Sequence, residues 1–168
     1  YTVTIQNTGD ADATGVQFND DIDVHTAYVN GSGILAMSDL YNTIGQVSIN
    51  VPAPGLLTND LDLSAGNNAG MTTTAQTVSS AQCAGCSNVT INVDGSFTYD
   101  PKAGFTGTDS FTYTAKNAAN KSASATVQIT VTGRIWFINN NAGACTSNCD
   151  GRLSHPFTTL ANFQAVND

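Results

Sequence analysis

Asn59, Asp60 and Asp62 set three oxygen-bearing side chains within four residues. Ca²⁺ is a hard cation that takes roughly six to eight oxygens from carboxylates, amides and backbone carbonyls. The phrase is therefore a candidate calcium segment. It lacks the spacing of an EF-hand loop, and the chain has no Glu to serve as a bidentate ligand. Asp and Asn are also ordinary turn residues that cap local backbone N–H groups. Turn chemistry is the plainer reading, and calcium the sharper one.

The four cysteines form two close pairs, Cys83/Cys86 and Cys145/Cys149. Four cysteines allow three pairings. Two local disulfides, 83–86 and 145–149, need no long-range geometry and suit an oxidising compartment. A four-cysteine zinc site would require the two pairs to meet from distant stretches. A thioredoxin-type redox centre would require a helix N-terminus in a βαβ context, and no such pattern is present. The local disulfides are the preferred reading, and each would pin the shape of a short loop.

Catalytic parts are few. His25 follows the acidic run Asp20–Asp23, and His155 precedes Pro156. Both read as loop or turn residues. No nucleophile elbow, phosphate loop or His-Glu-x-x-His zinc motif occurs. The expectation is a protein that is not an enzyme. Three Asn-x-Ser/Thr sequons, at Asn30, Asn88 and Asn120, are what chance gives in so Asn- and Thr-rich a chain. Thr-x-Thr pairs recur, and outward Thr on a sheet face explains them more simply than an ice-binding array.

These residues must be held by β structure. All 13 acids are Asp against 5 bases, a net charge of −8, and charged residues make only 11% of the chain. The helix surface formers Glu, Lys and Arg are scarce, whereas the 23 Thr favour strands and the 18 Asn favour turns. An all-α protein is excluded by that balance. The acidic sign and the lack of a basic cluster argue against nucleic acid. No apolar run reaches the ~18 residues of a membrane-spanning helix.

Three stretches follow from turn spacing. Residues 1–33 read as strand, turn, strand, too few for an independent sheet. Residues 34–133 read as short strands with frequent turns, the pattern of a β-sandwich. The clearest strands are 46–51, 88–93, 96–99, 110–115 and 125–132. Phe97, Tyr99, Phe111, Tyr113, Val127, Ile129 and Val131 should form the core. At Asp94-Gly95 a two-residue loop would split the apolar residues between faces. Pairing Val93 with Phe97 keeps Val89, Ile91, Val93, Phe97 and Tyr99 together, with a three-residue loop and positive φ at Gly95. Residues 134–168 should begin with a fully buried strand, Ile135–Ile138. A short helix should follow Pro156, with Phe157, Leu160, Phe163 and Val166 spaced by three. Tyr1–Ile5 alternates from its first residue and the far end opens a new element, so the chain reads as a segment of a longer protein.

Three phrases carry a resemblance. GLLTNDLD at 55–62, DGSFTYDPKAGFTGTDSFTY at 94–113 and ATVQITV at 125–131 together resemble the cadherin-like, immunoglobulin-like repeats of large bacterial surface proteins and adhesins. Residues 1–20 resemble the later strands of a conserved-repeat immunoglobulin-like domain. Residues 133–165 look like the start of a right-handed β-helix with its capping helix. The resemblance implies an all-β immunoglobulin/cadherin-like sandwich with flanking partial β modules. It implies a secreted or cell-surface bacterial protein in which such repeats act as stalk or spacer. Related repeats can hold calcium near module junctions. Asp39, where such a repeat begins, and Asp109, which opens a later strand, would join Asn59, Asp60 and Asp62 if all converge at one end. The implied partners are neighbouring modules or other copies of the chain, with a surface or carbohydrate ligand elsewhere. Two rivals remain: a filament subunit completed by a strand from another copy, and the flank of a carbohydrate-acting β-helix domain.

Overall fold

The computed structural model describes residues 33–82, 89–141, 143 and 145–166. Among these are ten strands: β1 (Ile34–Leu35), β2 (Asp39–Gly45), β3 (Ile49–Val51), β4 (Leu61–Asp62), β5 (Thr72–Thr73), β6 (Gln76–Val78), β7 (Val89–Ile91), β8 (Phe97–Tyr99), β9 (Gly107–Lys116) and β10 (Ser122–Arg134). A 3-10 turn (Gly55–Leu57) precedes β4, and one short helix, α1 (Leu160–Gln164), follows β10. The expected first stretch, 1–33, lies almost wholly outside the described residues.

Two four-stranded sheets face each other, ordered β2-β10-β9-β5 and β3-β8-β7-β6; β1 and β4 make a small third sheet. The all-β sandwich expected from the sequence is the fold. β9 and β10 form its spine, antiparallel from Ser122/Lys116 to Val131/Gly107. Both alternate strictly. Phe111, Tyr113, Ala115, Val127, Ile129 and Val131 point inward and are buried, whereas Thr112, Thr126, Gln128 and Thr132 point outward and are exposed. Inward residues of β7 and β8 (Val89, Ile91, Phe97, Tyr99) close the other side. Every one of the seven expected core residues is buried. Ring contacts stitch the layers: Tyr41 meets Phe97 at 5.0 Å, and Phe97 meets Phe111 at 5.5 Å.

β2 runs parallel to β10 along its whole length, from Asp39/Val127 to Gly45/Arg134. The other pairs in the two large sheets are antiparallel.

Four expectations need correction. The β7–β8 loop does have three residues and Gly95 has φ 83°, but it is Ile91 that pairs with Phe97. The loop is thus 93–95, closed by Asn92 and Ser96, and Val93 is left exposed. Close packing sets this register. The Gly95 carbonyl accepts from Leu56 N at 3.0 Å, and a Cβ on Gly95 would strike the Pro54 carbonyl.

The strand expected to begin at Gln46 begins at Ile49. Gln46 instead ends β2 in a turn at φ 79°, where Val47 N donates to the Ile44 carbonyl. Finally, residues 135–138 are not a buried strand. Ile135 and Ile138 are exposed, and only Ile138 makes a bridge, to Phe157. No described element covers their outer side. Likewise α1 starts only at Leu160, capped by the Thr159 hydroxyl, and leaves Leu160 and Val166 exposed. Phe157, expected on the helix stripe, is buried ahead of it and stacks on Trp136.

Candidate functional site

Tyr113 is an inward residue of β9, placed by strict alternation among apolar neighbours. Its phenol crosses the core to the end of the sandwich where β2 begins. There its oxygen lies 2.9 Å from both carboxylate oxygens of Asp60, 2.9 Å from the Leu56 carbonyl and 3.2 Å from the Met37 carbonyl. A phenol has one proton to donate. Four acceptors therefore crowd one donor. Asp60 gains a second donor, the Met37 N–H at 2.8 Å.

Asp39, the first residue of β2, joins this cluster. It is buried, and its Oδ2 has no hydrogen-bond partner. Burial, and then the nearby Asp60 charge, push its carboxyl up to about 6. Burial also raises the Asp60 carboxyl, against the pull of the Met37 N–H and the phenol. The Tyr113 phenol is raised by burial first, then by Asp60 and Asp39, so it stays protonated and a donor. Tyr41, also on β2, is pushed up to about 12 by burial and by Asp39. Two buried carboxylates around one phenol can accommodate a proton or a cation between them.

The five expected calcium ligands do not meet. Asp39 and Asp60 are brought together. Asn59 is exposed beside them, its side-chain amide donating to the Ser38 carbonyl at 3.1 Å. Asp62 turns to its own loop, accepting from Ser64 N at 2.9 Å, a bond that holds its carboxyl below the usual range. Asp109 lies four residues from Tyr113 along β9, about 13 Å at the rise of a strand. It is saturated by Tyr99 Oη at 2.8 Å, Gln82 N at 2.9 Å and Ser110 N at 2.8 Å. Among the described residues no three His, Cys, Asp or Glu side chains gather closely enough to hold a metal ion. Asp109 was expected at the site because it opens a strand. It is the third residue of β9, whose first residues lie toward the opposite end.

Tyr113 and Tyr99 were read only as core. The signal was present: a Tyr at an inward position must find a partner for its hydroxyl. Cys145 and Cys149 are disulfide-bonded, with Cα atoms 5.8 Å apart. Cys83 and Cys86 lie outside the described residues, as does His25. His155 sits in the turn before Pro156, its Nδ1 3.0 Å from Ser154 Oγ.

The profile of the bacterial cadherin-like domain matches residues 30–133, more than half of the chain. The chain belongs to the bacterial cadherin-like domain family. In this cadherin-like chain the matched span includes the strands of the two facing sheets, but for Arg134 at the end of β10, and the whole Asp39–Asp60–Tyr113 cluster. A search of curated proteins finds no match. Among solved structures, an endo-fucoidan hydrolase from glycoside hydrolase family 107 is similar at 20% identity and a TM-score of 0.42. The likeness covers 66% of this chain and 15% of that hydrolase, and at that level it carries no functional argument.

Proposed function

We propose that the chain is a non-catalytic spacer segment of a large secreted or cell-surface bacterial adhesin-like protein. The parallel pairing of β2 with β10 is the observation that supports this reading most. The first long strand and the last run side by side in the same direction. The chain therefore enters the sandwich at one end and leaves at the other, about 20 Å further along the strands. Modules with that geometry stack end to end. Tension on the two chain ends also loads the β2–β10 ladder along its length, so that its bonds share the load. The division into stretches 1–33, 34–133 and 134–168 belongs to the same reading, with neighbouring modules of the parent protein as partners.

Calcium is the cofactor this reading carries. The residues that meet fit it in donor chemistry: Asp39 Oδ2 is a buried acceptor without a donor, Asp60 lies beside it, and the Leu56 and Met37 carbonyls are hard oxygens. Asp39 and Asp60 would hold the ion, which would relieve their mutual repulsion; Asp62 and Asp109 take no part.

Electron microscopy and sedimentation of the purified chain test the spacer reading against assembly. The spacer reading expects monodisperse particles. Ordered filaments would replace it with a strand-complemented subunit. Turnover of a polysaccharide by the chain alone would overturn its non-catalytic character.

A further inference from the structure

The far end of the sandwich, where β10 leaves, holds a second cluster. We propose that Arg152 and Asp100 form a clasp that locks residues 135–141 and 145–157 onto that end, so that these residues move with the sandwich and not as a linker. The proposal takes its use from the spacer reading; its geometry stands without it.

Asp100 follows β8 and belongs to the sandwich. Arg152 Nη1 reaches its Oδ2 at 2.9 Å, and Ser154 Oγ donates to the same oxygen at 2.7 Å. The guanidinium is held in place from its own side by Asp150, with Nε at 2.9 Å and Nη2 at 2.9 Å from Oδ2. Both Asp100 and Arg152 are mostly buried, with 18% and 17% of their side chains exposed. A planar fork fixed by two carboxylates sets orientation as well as attraction.

Backbone ties flank the clasp. Leu153 N donates to the Gln46 carbonyl at 2.7 Å, and Ile135 N to the Gly45 carbonyl at 3.1 Å. Gln46 is fully buried in a left-handed conformation, which non-glycine residues rarely adopt, and its Oε1 accepts from Gly104 N at 2.8 Å. The turn that ends β2 is thus held as a fixed seat for residue 153.

The docked segment is braced internally. Phe137 N donates to the Gly151 carbonyl at 2.9 Å and Phe157 N to the Phe137 carbonyl at 2.8 Å. Trp136 stacks on Phe157 at 5.7 Å, and a Cβ on Gly151 would strike both rings. A segment with its own small core, tied at three points to the sandwich, has the parts of a rigid joint.

Hydrogen exchange by mass spectrometry on the whole chain tests this, comparing wild type with D100N, R152Q and R152K. The expected result is exchange in peptides covering 150–157 faster by roughly tenfold or more in D100N and R152Q, with β9 and β10 unchanged. R152K, which keeps the charge but loses the fork, should fall between. Exchange at 150–157 unchanged within about twofold in both D100N and R152Q overturns the clasp. So does equal acceleration throughout β9 and β10, which would make Arg152 a residue of global stability. Neither result bears on the particle shape that tests the spacer reading.

Discussion

The Tyr113 phenol donates to the Asp60 carboxylate across the core, from β9 to the residue just before β4, with 2.9 Å to each carboxylate oxygen. The bond ties the spine of one sheet to the loop that covers the end of the sandwich. Tyr113→Phe removes that one proton; Asp60 Oδ1 keeps the Met37 N–H, but Oδ2 is left without a donor. The substitution should cost about 1–3 kcal/mol, read as a lower urea midpoint at unchanged slope. Tyr99→Phe should cost a similar amount, because Gln82 N and Ser110 N both reach Asp109 Oδ1 and the buried Oδ2 loses its Tyr99 donor.

The same cluster makes stability depend on pH. The Asp39 carboxyl is raised from 3.8 to about 6, and Asp60 is raised too. Between those values the folded chain binds more protons than the unfolded chain. Stability contributed by Asp39 is therefore present at about pH 4 and is lost as pH rises through about 6, and Asp60 acts in the same direction. Asp62 and Asp94 are lowered, so their contribution is lost as pH falls below the ordinary carboxylate range. Melting temperature in chelator should fall between about pH 4 and 6, and Asp39→Asn should flatten that fall. A rise over the same window would contradict the assignment.

Calcium should act at the same place. Millimolar Ca²⁺ should raise the melting temperature above its value in chelator, and Asp39→Asn or Asp60→Asn should abolish the rise. Asp109→Asn should lower stability but keep the calcium response, because Asp109 lies at the other end.

Gly95→Ala should destabilise by about 1–3 kcal/mol. Residue 95 has φ 83°, and its Cβ would meet the Pro54 carbonyl. Chemical denaturation reads this directly. Val93→Thr, two residues away on an exposed loop position, should be nearly neutral.

The sandwich was legible because β9 and β10 alternate without interruption, and because Val89, Ile91, Phe97 and Tyr99 can share a face in only a few registers. β2 was not. Its inward positions are Asp39, Tyr41 and Thr43, whereas Leu40 and Ile44 face solvent. That inverts the apolar pattern, and a parallel edge pairing has no hairpin turn to announce it. The candidate site was half legible for a related reason. Asp39 and Asp60 could be singled out as turn carboxylates, but which Asp residues share an end depends on strand direction. Asp109 and Tyr113 sit on one strand and serve opposite ends of the sandwich. The Arg152–Asp100 contact joins residues far apart in the chain, and no local pattern marks it.

The parallel ladder from Asp39/Val127 to Gly45/Arg134 is the centre of the account, and single-molecule pulling on the two chain ends tests it most directly. The account predicts one high-force event that releases residues 39–134 together, a gain in length on the order of 30 nm. Stretching with no force peak, or release in several small low-force steps, would contradict it.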